Sequence, residues 1–304
     1  MNCKNSIFFY LLFLVSNCLA QNGTERFLKP SDTLNSSRKN LVFLSEAVVS
    51  ATALVGLNEL WYADYPRSKF HFTNDNKDWL QMDKAGHLYS SYHLGRISSE
   101  ILQWSGASRK EQLLYGAGMG FAFLTAVEVL DGFSSEWGAS TGDVIANASG
   151  TALYVSQELL WKEQRITPKF SFHTTRFSKY RPEVLGNNFT EQILKDYNGQ
   201  TYWLSANLKS FFKDTKIPEI LNIAVGYGAD GMLSGGGEKS SFFPDENLSR
   251  SRQFYLSLDL DLTKIKTKSH FLKTFFSVFS VLKIPAPTIE YSANEGFKGH
   301  ILYF

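Results

Sequence analysis

Cysteine is nearly missing from this chain of 304 residues: there are two, Cys3 and Cys18. Both fall in the first twenty residues, which read as an export signal. Lys4 supplies the positive start, Ile7 to Val15 a short apolar run, and Cys18-Leu19-Ala20 the small residues for cleavage before Gln21. That run is too short to cross ~30 Å of hydrocarbon. The mature chain therefore lacks thiols, which excludes thiol catalysis, thiolate metal sites and disulfides. Charge of one sign is missing too. The 31 basic and 29 acidic residues are well mixed and leave a net charge of +2, so nucleic acid is not an expected partner. No H-E-x-x-H or phosphate-binding glycine loop occurs, and Ser234 to Gly237 is a turn. Aromatic residues, by contrast, are abundant at 15%, which suits a membrane-facing protein.

The helical patterning comes first in the chain. A polar leader over 21–40 precedes a long apolar-periodic segment from Leu41 to Trp61. Further helices are expected from about Asp83 to Trp104, from Arg109 to Leu130, and from near Ser140 to Trp161. Small residues at Gly116 to Gly120 and Ala146 to Gly150 permit close helix approach, as in membrane bundles and tight soluble ones alike. After Pro168 the period changes to two. Ile223 to Ala229, Phe254 to Leu262, Thr288 to Tyr291 and His300 to Phe304 alternate as half-buried strands, and Phe271 to Ile284 as an amphipathic helix. The expected class is α+β: signal peptide 1–20, leader 21–40, a bundle of about four apolar helices over 41–166, and a region of antiparallel strands over 167–304.

Three polar faces interrupt the apolar helices. Asp83, Lys84 and His87 form one, Glu128, Asp131 and Gly132 another, and Asp143, Asn147 and Gly150 the third. Spacings of three and four put each set on one helical face. Buried charge is costly without partners, so the faces are expected to converge. Convergence is geometrically simple, because Asp83 and Asp143 begin helices while Glu128 and Asp131 end one. A structural polar network of Asp83, Lys84, His87, Glu128, Asp131, Asp143, Asn147 and Gly150 is the favoured reading, with a non-enzymatic role. The alternative is a catalytic site using His87, Asp83 and Glu128, or a metal site of His87, Glu128, Asp131 and Asp143, acting on an envelope lipid or glycan intermediate. One imidazole among carboxylates suits Mg²⁺, Mn²⁺ or Fe better than Zn²⁺. His93 reads as a packing residue. Arg181 and Lys195 to Tyr197 read as contacts to the helices or to a lipid head group.

The ordered motifs Asp83 to Tyr89, Glu128 to Gly132 and Ser140 to Gly150 resemble the YfiM-like predicted periplasmic lipoproteins, a domain of unknown function. The order K-x-x-H, E, D-x-x-x-N-x-x-G is also similar to the VanZ family of small membrane proteins. Arg181 to Gly186 and Lys195 to Trp203 resemble longer members from Bacteroidetes-type bacteria, whose signals are also cut before Gln. The resemblance implies a Gram-negative envelope protein, in the periplasm or at the outer membrane and in contact with membrane or envelope lipid, with no activity to carry over. The chain departs from a lipoprotein at Cys18, where Asn17 occupies a position that a small residue usually fills.

Overall fold

Asn35 begins the first long helix by accepting a hydrogen bond from the Arg38 N–H, so α1 starts at Ser36, earlier than the apolar pattern suggests, and runs to Tyr62. The computed structural model describes residues 23–63, 65–236 and 249–304. The expected signal peptide lies outside them. The leader is partly helical, over residues 23–28, and the Trp104 indole donates to the Phe27 carbonyl. Three more long helices follow: α2 (Met82–Trp104), α3 (Arg109–Asp131) and α4 (Thr141–Leu160). The last turn of α1 and the second turn of α3 are π-wound.

α2 is the centre of the bundle and packs against both α3 and α4. Two glycines set the spacing. A Cβ on Gly120 would sit 2.1 Å from the Ser91 carbonyl oxygen, and one on Gly150 would sit 2.2 Å from that of Leu88. Gly150 therefore belongs to the helix contact rather than to the polar chemistry. α1 is attached differently. Val42 is its one buried residue, packed with Leu102 and Ala107. α1 and α3 are both long and apolar enough to cross a membrane, at mean hydropathy 1.7, yet only 6% of the apolar window of α1 is buried.

The remainder is an antiparallel meander of six strands: β1 (Ile166–Phe172), β2 (Gln200–Asn207), β3 (Leu221–Asp230), β4 (Ser251–Leu260), β5 (Ala286–Ser292) and β6 (Gly296–Tyr303). The α+β class is as expected, and β1 and β2 are strands that the alternation left unassigned. α5 (His270–Phe279) precedes β5. The sheet curls strongly. Tyr303 on β6 lies 3.3 Å from the Thr201 hydroxyl on β2, whereas four flat strand spacings would separate them by roughly 19 Å. The outer edge of β1 is also paired: Phe170 donates to Val281 and accepts from Lys283.

The two faces of this sheet are inverted relative to a water-soluble one. In register along one face lie Ser205, Asn222, Ser257, Asp259 and Thr288, all buried, with Trp203 and Tyr255 beside them. The opposite face presents Leu204, Val225, Phe254, Leu256 and Ile289 to the outside. The polar interior is satisfied internally. Lys169 and Lys283 flank Asp259 at 2.7 and 3.8 Å, and Ser205 donates at 2.6 Å to the oxygen that Lys169 also meets. Tyr89 of α2 joins helices to sheet through Phe170 and Tyr202. His93 adds a 2.7 Å hydrogen bond to the Pro168 carbonyl, and burial pushes its imidazole down to about 3, so it packs as a neutral ring.

The tight helix contact gives a direct test. Gly150→Ala is expected to lower stability by about 1–3 kcal/mol, because the methyl group meets backbone that cannot move aside. Gly118→Ala, with nothing within 4 Å of the added carbon, is expected to be neutral or to stabilise by about 0.5–1 kcal/mol. Thermal unfolding of both variants checks the pair.

Candidate functional site

The Lys84 ammonium organises the cluster. It lies 2.6 Å from Asp75 Oδ1, 2.8 Å from Asp83 Oδ2 and 3.0 Å from Asp143 Oδ2, which uses all three of its donors. Burial alone would lower the ammonium pKa, but these three carboxylates raise it above its ordinary value. Asp75 responds in the opposite sense: burial pushes its carboxyl up, and the bonds from Lys84 and Ser140 more than reverse that. In Asp83 burial outweighs the Lys84 contact, and the carboxyl lies above its usual range. Asp75, Asp83 and Asp143 are close enough to hold an ion, but the lysine fills that place.

The second half of the cluster centres on His87. Its Nδ1 lies 2.9 Å from Asn147 Oδ1, not against Asp83, whose carboxylate is held by Lys84. Its Nε2 faces Glu128 Oε1 at 3.6 Å and Asp143 Oδ1 at 3.9 Å. Glu128 and Asp143 are only 3% and 5% exposed, and neither of these oxygens has a hydrogen-bond partner among the described residues. The buried Asn147 Nδ2 is likewise unpartnered. The other Glu128 oxygen accepts from the Ser140 N–H at 3.0 Å, so Glu128 does not pair with Lys84. Burial pushes Glu128 up to about 8, helped by Asp143 and Asp131, and burial likewise lifts Asp143 to about 6.

Asp131 stands apart from this group. It accepts a 2.6 Å hydrogen bond from the Tyr62 hydroxyl, at the end of α1, rather than closing its own helix. Lys195 also reaches α1, donating to the Leu60 carbonyl at 3.1 Å and lying over the Trp61 ring, while Arg181 donates to Leu233. Together these elements enclose a cavity of about 450 Å³. Asp83, His87, Asp131 and Asp143 line one side of it, and Leu57, Trp61, Val127, Trp137, Ile193 and Tyr202 are among its apolar and aromatic walls.

Asp75, Tyr62 and Ser140 were not legible as site residues in the sequence. Asp75 arrives through two local devices. Phe72 and Thr73 pair in parallel with Ala139 and Ser140, and Ser140 donates to Asp75 at 2.5 Å. Trp79, Leu80 and Gln81 then take left-handed backbone conformations, with φ of 46°, 50° and 66°, before α2 begins. Such residues cost about 1–3 kcal/mol each and persist where surroundings hold them. Here Trp79 N–H donates to Gly235 at 3.0 Å, Tyr227 donates to the Leu80 carbonyl, and Gln81 donates to Asn76 at 2.7 Å.

Two outcomes follow from this arrangement. Lys84→Met leaves three clustered carboxylates without their cation and is expected to cost about 3–5 kcal/mol, read by denaturant unfolding at neutral pH. Asp131 gives a pH signature. Burial pushes its carboxyl up to about 6 from an ordinary 3.8, with Tyr62 only partly offsetting it. The folded state therefore binds more protons than the unfolded state between those values, and stability falls as pH rises across that window. Asp131→Asn should remove this part of the slope, on the order of 2–3 kcal/mol between pH 4 and 7. Parallel pH–stability curves for wild type and variant would contradict it.

No curated protein and no solved structure matches the chain. A family model does match, over residues 71–158. Its description as periplasmic agrees with the export expected from residues 1–20, and the protein is an exported envelope protein of the periplasm or outer membrane. The segment that carries Asp75, Lys84, His87, Glu128, Asp143 and Asn147 is thus similar to the family described as predicted periplasmic lipoprotein (DUF2279), a domain of unknown function.

Proposed function

We propose that this envelope protein receives the polar head group of an amphiphilic lipid or glycan intermediate in its cavity and acts on it by acid–base or cation-assisted chemistry at His87, Glu128 and Asp143. One observation carries the reading. Two buried carboxylate oxygens without hydrogen-bond partners among the described residues face one imidazole nitrogen at the side of a cavity. A purely structural network pairs its members, since an unpaired buried oxygen costs about 1–3 kcal/mol. The Lys84 ammonium, with all three donors paired, does support a structural role for its half of the cluster.

Contact with lipid is supported by what surrounds the cavity. α1 and the convex side of the sheet carry exposed Leu44, Val48, Val49, Leu256 and Ile289. α5 presents Phe271, Phe275, Val278 and Phe279 outward, as a helix lying in a membrane interface does. Leu57 and Trp61 belong both to this apolar α1 and to the cavity wall, which gives an acyl chain a continuous path inward.

The experiment is retention and turnover. The full chain, purified in mild detergent and incubated with an envelope lipid extract, is expected to retain or convert one amphiphile class, read by mass spectrometry. Trp61→Ala should weaken retention roughly 10-fold, as loss of a buried aromatic contact does, and His87→Gln should abolish conversion. Neither retention nor conversion by wild type, with His87→Gln equally inert and less stable, would return the whole cluster to a structural role.

A further inference from the structure

The His87 side of the cluster has a regular construction. Each of three side chains has one polar atom held by a neighbour and one left free. Asn147 Oδ1 faces His87 Nδ1, the Ser140 N–H holds Glu128 Oε2, and the Lys84 ammonium holds Asp143 Oδ2. The free atoms are His87 Nε2, Glu128 Oε1 and Asp143 Oδ1, and all lie within 4.8 Å of one another. With Nδ1–H directed at the Asn147 carbonyl, Nε2 carries a lone pair. With Glu128 deprotonated, as cation binding requires, three acceptors face one point. Their separations of 3.6 and 3.9 Å are too long for hydrogen bonds. Two ligands about 2.1 Å from a common ion lie roughly 3.0–4.2 Å apart, from adjacent to opposite positions.

From this geometry we infer that His87 Nε2, Glu128 Oε1 and Asp143 Oδ1 bind a single divalent cation, whose remaining positions open to the cavity. The inference rests on the reading of the cavity as a working site and names what works there. One nitrogen and two carboxylate oxygens suit Mn²⁺, Fe²⁺ or Mg²⁺. The outer partners match the role: a metal-binding imidazole typically donates its other N–H to an oxygen, and bound carboxylates are themselves hydrogen-bonded. Asp131 is not among the residues whose ligand atoms lie within 4.8 Å of one another here, and the space between Asp75, Asp83 and Asp143 is already taken by the Lys84 ammonium.

The test uses the full chain in detergent, stripped with chelator and titrated with MnCl₂. One Mn²⁺ per chain is expected by calorimetry, with affinity reduced roughly 10-fold or more in Glu128→Gln and in His87→Gln. Asp131→Asn should stay within about threefold of wild type, as a residue outside the ligand set does. Pulsed electron paramagnetic resonance of the wild-type complex should show coupling to one imidazole nitrogen. That spectrum decides the matter by itself if the variants do not fold. Absence of saturable binding, binding unchanged in both ligand variants, or a spectrum without nitrogen coupling would overturn the site. Amphiphile retention is measured separately on the stripped protein. Retention without Mn²⁺ binding removes the cation and leaves the cavity reading, while Mn²⁺ binding without retention or turnover keeps the cation and removes that reading.

Discussion

The ammonium of Lys84 is the constraint on which the helical half of this protein depends. Three carboxylates from three places in the chain, Asp75 in an irregular segment, Asp83 on α2 and Asp143 on α4, cannot share a volume without a cation. Lysine supplies that cation as part of the fold, on the same helix turn as one of the acids. The consequence reaches beyond charge balance. By taking one oxygen of Asp143, Lys84 directs the other toward His87, so the structural half of the cluster sets the geometry of the open half.

The same logic operates in the sheet with a different outcome. Asp259 sits between Lys169 and Lys283, and the surrounding hydroxyls and amides complete the bonding, including Asn207 to Asn222 at 2.8 Å and Asn222 to Ser205 at 2.8 Å. Curling the sheet encloses these groups and turns the apolar residues outward. A strand with polar residues inside and apolar residues outside is stable where the outside medium is itself apolar, the arrangement found in membrane barrel walls. Here six strands and a paired outer edge of β1 achieve the enclosure without a complete barrel.

Much of this was legible in the sequence because it is written in helical periodicity. Spacings of three and four place Asp83 with His87, Glu128 with Asp131, and Asp143 with Asn147, and their positions near helix ends bring the faces to one level. Partner choice was not legible. Lys84 holds Asp83, and His87 turns to Asn147 instead, a choice that spacing alone does not encode. Asp75 left no periodic signal at all, because a two-residue parallel ladder and three left-handed residues deliver it. β2 was hidden for a related reason: Tyr202 meets the helices while its neighbour Trp203 fills the sheet interior, so both faces are aromatic and the alternation disappears.

What separates the two halves of the polar cluster is how completely each atom is used. The Lys84 ammonium meets three acceptors with its three donors and has none left for a ligand. Around His87, the outer partners hold each side chain while its inner atom stays unbonded, and no contact among the described residues recovers the cost of that. Proteins tolerate such a cost where the free atoms have a task, because positioned, desolvated groups interact strongly with whatever charge arrives between them. The arrangement lies where the largely exposed apolar helix α1 meets the cavity. In the proposed function, the cation and the path from an apolar phase meet in this one place.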